Sequence, residues 1–381
     1  MKKNQLIFAL ALGMFAAVTP SCMSDNDDTI IVESGNSTDI PSDSKAKPNP
    51  EVSMNNVSIP NIQYATVDED GTAVMRLDMT GIQDRNTLEW LRLAGTGERD
   101  QNVWVEVDGK PKGIKVYNTA DDEEKHIVPV DLIFLVDNSG SMSEEADAIA
   151  RDITAWAEKL AASSLDIKFG CVGYDGRITG ACSLCDATDL FNFFDRSTGT
   201  SRTVGFEGSA DEVSLYKRVC DKYEIDYCEE SAMAALRFAD DNFKFRTGAN
   251  RVYVNFTDEP NQGASVNRLF SVESLKTDWE TYKGTIHTVF SDVTETSREY
   301  NYLMSEYTGG TVINTNSSFT GVTLDSLPVS GAMMNSYIIR FTDIEEYMDG
   351  QPHEVKITIY SPDGSVQAER VFYVVFGDRN A

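Results

Sequence analysis

The chain has 381 residues, and its 41% hydrophobic and 10% aromatic content is that of a globular protein with a sizeable core, not of a disordered chain. Against 33 Lys and Arg stand 61 Asp and Glu, a formal charge of −28. Such a surface repels phosphate backbones and anionic lipid heads, which argues against nucleic acid as a partner, and it attracts divalent cations and basic proteins.

In chain order, residues 1–21 read as a secretory signal: Lys2 and Lys3 precede an apolar run from Leu6 to Val18 that is short for a membrane span. The end of this segment, "TPSC", resembles a bacterial lipoprotein cleavage site, with Ser21 just before Cys22. The next residues, "CMSDNDD", resemble the acidic tract by which some Gram-negative bacteria send lipoproteins to the outer surface. These resemblances imply an exported protein attached to the outer membrane or cell surface through a lipidated Cys22. Residues 22–50, rich in Ser, Asp, Asn and Pro, are expected to form a flexible tether.

Residues 51–127 show short alternating runs broken by turn signals, "TAVMRLDM", "TLEWLRLAG" and "VWVEVDGKPKGIKVYN", which predict antiparallel strands. Residues 335–381 behave alike, with "SYIIRFTDI", "HEVKITIYS" and "SVQAERVFYVVF". Between them, over 128–334, strands alternate with helices. "VDLIFLVD" is a continuous apolar strand of a sheet covered on both faces, and "SEEADAIARDITAWAEKLAASS" places Ile149, Ile153, Trp156 and Leu160 on one helical stripe. Strand "LDIKFGCVGY" follows, then a long Gly- and Cys-containing excursion, helix "SAMAALRFADDNF", strand "NRVYVNFTD", helix "VESLKTDWETYK" and strand "TIHTVFSD". The expected fold is α/β, a doubly wound and mostly parallel sheet, inserted between the strands of a β-sandwich that 51–127 and 335–381 build together. Two separate small β-domains are the alternative.

Five cysteines remain beyond Cys22. Cys171 shares a strand face with Leu165, Ile167 and Phe169 and reads as a core thiol, while Cys182, Cys185, Cys220 and Cys228 can pair as disulfides in three ways. A four-cysteine zinc site is less consistent with the wide spacing from Cys220 to Cys228 and with export. The aromatic "DLFNFFDR" within the excursion is either a recognition element or a cluster packed under its own loop.

In an open α/β sheet, ligands collect at the carboxyl ends of the strands, and two strands here end in aspartate, at Asp137 and Asp258. Asp137 is followed by Ser139 and Ser141 on the loop into the first helix. Carboxylate and hydroxyl oxygens suit a hard divalent cation such as Mg²⁺, with Mn²⁺ or Ca²⁺ as alternatives.

"DLIFLVDNSGSM" resembles the first strand and metal-ion-dependent adhesion site of von Willebrand factor A (VWA) domains, and "VYVNFTDEP" resembles the strand carrying that site's second aspartate. The similarity spans about 128–334. The third motif is similar to the variant of integrin β-subunits and some matrix-protein A domains, in which a glutamate replaces the usual threonine. Aligned on "CEE" and "AAL", the resemblance implies Glu230 in that role, with Glu229 as fallback. The implied metal ligands are therefore Asp137, Ser139, Ser141, Glu230 and Asp258. An adjacent site at Glu144 and Glu145 is weighed against a plain helix start, since Ser141 and Glu144 also fit a capping box. The implied function is cation-dependent binding of a protein or other macromolecule, with a carboxylate of the partner able to complete the metal's shell. A cell-envelope assembly protein whose metal engages no partner is the alternative. An enzyme is not expected: the histidines are His126, His287 and His353, none in a triad-like context, and neither a Gly-x-Ser-x-Gly elbow nor a phosphate loop is present.

Overall fold

The computed structural model describes residues 36–84, 86–121, 128–143, 145–162, 165–195, 203–226, 229–291, 298–315 and 328–377. The signal segment, Cys22, His126, Glu144 and Cys228 lie outside them. The first strands are β1 (Ile62–Glu69), β2 (Thr72–Met79), β3 (Val103–Val107), β4 (Lys110–Pro111) and β5 (Ile114–Asn118). The β1–β2 hairpin turns on Asp70 and Gly71, both at positive φ (51° and 82°), the paired left-handed conformation that a two-residue hairpin loop requires.

The middle of the chain then runs β6 (Val130–Asp137), α1 (Ala146–Ala161), β7 (Ile167–Tyr174), β8 (Ile178–Cys185), α2 (Ala187–Asp195), β9 (Gly205–Glu207), α3 (Ala210–Val219), α4 (Ala232–Asn242), β10 (Asn250–Thr257), α5 (Leu275–Asp278), β11 (Thr285–Phe290), α6 (Arg298–Thr308), β12 (Val312–Asn314) and α7 (Pro328–Met334). Strands β13 (Tyr337–Phe341), β14 (His353–Tyr360) and β15 (Gln367–Val374) follow.

The central sheet has the order β12-β11-β10-β6-β7-β8-β9 and is parallel except where β8 runs against β7. Both faces are covered, so β6 is buried at every residue. Phe134, Phe256 and Trp156 lie in one core with Ile149, Ile153 and Leu160 of α1, and Ile133, Leu135 and Tyr253 in another with α4. The chain is thus α/β with a doubly wound sheet, and the flanks are all-β. Their strands interleave as β1-β2-β13-β5 and β15-β14-β3-β4, so each four-stranded sheet draws on both sides of the insertion and the two share one core. Arg370 of β15 joins the sandwich to the α/β unit by donating to Asn61 Oδ1 (2.6 Å) and to the carbonyl of Tyr307 in α6 (2.9 Å).

Four segments differ from the sequence expectation. "TLEWLRLAG" forms no strand, only a Gln83–Trp90 bridge, because Leu88 takes φ 60° and the Trp90 ring packs over Gly331 of α7. "VESLKTDWETYK" yields only the four-residue α5 flanked by tight turns. Trp279 leaves the helical conformation, donates to the Gly284 carbonyl (2.9 Å) and lies against Arg237 and Tyr253. The excursion contains a full strand, β8, hidden by its small residues. Gly180 is required there because a Cβ would meet the carbonyls of Thr203 and Gly205 at 2.1 and 2.2 Å. Residues 36–50 of the expected tether lie along the sandwich. Asp43 accepts from Lys112 (2.5 Å) and the Gly113 amide (2.8 Å), and Asn49 bonds Glu106 and Thr358. The aromatic run forms α2, which buries Leu190, Phe193 and Phe194 and leaves Phe191 exposed. No helix among the described residues is long and apolar enough to cross a membrane.

Candidate metal centre

Three loops meet at the carboxyl end of the central sheet. β6 delivers Asp137, and β10, paired with it in parallel, delivers Asp258 one residue beyond its end. Glu230 precedes α4, whose start is fixed by Ser231: its hydroxyl accepts the Ala234 amide (3.1 Å). One carboxylate oxygen from each of Asp137, Glu230 and Asp258 lies within 4.8 Å of the others. Ser139 and Ser141 complete the cluster. Their hydroxyls are 2.9 Å apart, and Ser141 donates to Asp258 Oδ1 at 3.0 Å. The five residues named from the sequence therefore converge. Glu229 is outside this group. Its amide donates to the Asp226 carbonyl (3.1 Å).

Neutral donors hold the carboxylates. Asp137, fully buried, accepts the Ser139 amide at Oδ1 and the Thr257 hydroxyl at Oδ2, both at 2.8 Å. Burial nevertheless pushes its carboxyl up to about 7, with the Asp258 charge adding to the rise. Burial likewise pushes Glu230 up to about 8, helped by Asp137, Asp258 and Glu259 and opposed by a hydrogen bond from Ser139. Glu230 Oε2 is buried without a hydrogen-bond partner. A cation fits these residues on that observation: it would satisfy the orphaned oxygen and offset the mutual repulsion of three carboxylates, and the all-oxygen set suits a hard ion. Asp137, Ser139, Ser141, Glu230 and Asp258 would hold it.

Sequence reasoning missed three supporting residues. Thr257 orients Asp137 and could have been read from its place beside Asp258. Asn261 accepts from Ser231 and the Met233 amide (3.1 and 3.0 Å), and Gln262 accepts the Glu230 amide (3.2 Å), so the loop after β10 is latched to the start of α4. No periodic pattern marks them. Ser141 is not the cap of α1, which begins at Ala146 with Glu145 as its first flanking residue. Glu145 is buried and outside the three-carboxylate group.

No protein-family model matches the chain, and no curated protein does. Solved structures similar to it include an aerotolerance-related membrane protein from Bacteroides fragilis, with 14% identity over 54% of this chain and 98% of that one and a TM-score of 0.32. Proximal thread matrix protein 1 from the mussel byssus, with a zinc-occupied MIDAS motif, is 12% identical over 59% of this chain and 49% of that one, at a TM-score of 0.38. The SpRpn10 VWA domain is 10% identical over 51% and 93%, at 0.31.

Proposed function

We propose that residues 128–334 are a VWA-type unit and that the chain binds a macromolecular partner through a divalent cation held by Asp137, Ser139, Ser141, Glu230 and Asp258. The observation that carries this reading is the orphaned, buried Glu230 Oε2 beside two further carboxylates, at a place where the charges that most affect Glu230 are themselves acidic. Three carboxylates on a divalent ion leave one net negative charge, which favours tight retention of Mg²⁺ or Mn²⁺ and a partner whose carboxylate completes the shell only weakly unless other contacts assist. The signal-like segment and Cys22 support an exported, lipid-anchored surface protein.

Binding, not catalysis, is the role proposed for the serines. His287 hydrogen-bonds Thr311, and burial pushes it down to about 4, while His353 serves Asp108 and Asp349 in the sandwich. The test is an array of acidic peptides probed with the full chain in Mg²⁺. Binding abolished by EDTA and by Ser141→Ala is expected. Binding that survives both refutes the proposal.

A further inference from the structure

Cys182 and Cys185 are three residues apart on β8, a spacing that a regular strand places on opposite faces. The pairing slips here: Phe169 lies opposite Cys185 and Cys171 opposite Cys182, so two steps on β7 face three on β8. This bulge turns both thiols toward the core that holds α1 and α2, with Sγ atoms 3.6 Å apart. Cys220 packs with the cluster on the other face of the sheet. Cys185 is half-buried beside a groove of about 700 Å³ also lined by Asp186, Asp189, Glu207 and Glu212, which gives a reagent access.

We propose that Cys182 and Cys185 form a disulfide, closed by exchange with a small-molecule or protein disulfide. Cys185 loses its proton and its sulfur attacks the reagent's S–S bond, releasing one thiol that takes up a proton. Cys182, also deprotonated, then attacks the Cys185 sulfur and expels the second thiol. Two protein thiols are oxidised and one disulfide is reduced to two thiols. The oxidising surroundings rest on the export proposed above; the geometry does not. Contact with the Cys182 thiol, burial and the Asp189 and Asp186 carboxylates hold the Cys185 thiol well above its ordinary range. Closure is therefore slow, and the closed bond resists reduction because opening it gains no stable thiolate. Among the described residues the potential metal-ligating groups include no set with these two sulfurs.

The full chain, reduced and then incubated with oxidised glutathione, is alkylated and cut with trypsin. Cys182 and Cys185 share peptide 178–196, whereas Cys171 falls on 169–177. Peptide 178–196 unlabelled and lighter by two hydrogen atoms is the expected result. Two labelled cysteines, a cross-link to Cys171, Cys220 or Cys228, or protection that a zinc chelator removes overturns the proposal. Response to Mn²⁺ is measured on the same sample, so a failed disulfide and a failed cation site are told apart.

Discussion

Replacing Asp137 with Asn is expected to stabilise the metal-free protein at pH 8 while abolishing its response to metal. The Asp137 carboxyl is raised from 3.8 to about 7. At about 1.4 kcal/mol per pH unit, its ionisation costs the folded state about 4 kcal/mol above pH 7, and this cost disappears below about pH 4. The figure is a ceiling, because Asp137 and Glu230 titrate together and a single proton between them relieves much of the strain. The asparagine side chain is not otherwise disfavoured in this place. Its carbonyl oxygen can still accept the Ser139 amide, and its NH₂ group can donate to the Thr257 hydroxyl, which in the wild type donates to Asp137 Oδ2. Urea melts in chelator should therefore show wild type losing stability as pH rises from about 4 to 8, and Asp137→Asn losing less. With Mn²⁺ at 100 times its Kd, wild type should regain about 2.7 kcal/mol and the variant nothing. A variant less stable than wild type in chelator at pH 8, or one with an undiminished Mn²⁺ gain, refutes the argument.

Glu230→Thr removes one of three carboxylates and should weaken Mn²⁺ binding at least tenfold by calorimetry, about 1.4 kcal/mol, while leaving the ion more attractive to an incoming carboxylate. Arg246→Met removes the guanidinium held 2.7 Å from the fully buried Asp131, leaving it the backbone amide of residue 246, and should cost about 3 kcal/mol in urea melts at pH 7. The loss should shrink toward pH 4, because burial raises the Asp131 carboxyl and its protonated form needs no cationic partner. Asp43→Ala removes the charged acceptor from a Lys112 side chain that is 1% exposed, leaving it the Asp343 carbonyl, and should cost about 2 kcal/mol and quicken proteolysis within residues 36–50.

The continuous apolar run of β6 and the aspartates at two strand ends were legible because burial on both faces and ligand placement at carboxyl ends each leave a local pattern. β8 was not, because its glycine and small residues answer to the backbone of β9 and Thr203, contacts distant in sequence. α5 fell short of its pattern where Trp279 turns out of the helix to lie against Arg237 and Tyr253, contacts distant in sequence or unmarked by periodicity. Residues 36–50 are polar enough to read as a tether, and their order comes from partners distant in sequence: Asp39 meets Tyr117, Asp43 meets a buried lysine and a glycine that lets the chain pass, and Asn49 meets Glu106 and Thr358.

The site separates orientation from neutralisation. Thr257 and the Ser139 amide fix Asp137, Ser141 fixes Asp258, and Gln262 fixes the backbone at Glu230, all through uncharged donors and acceptors. An arginine in any of these places would hold the carboxylates as firmly but would cancel the charge that draws a cation. Neutral hydrogen bonds place the Asp137 and Glu230 oxygens without offsetting their charge, which is why burial raises these two carboxyls so far and why a divalent ion has a large electrostatic gain to make there.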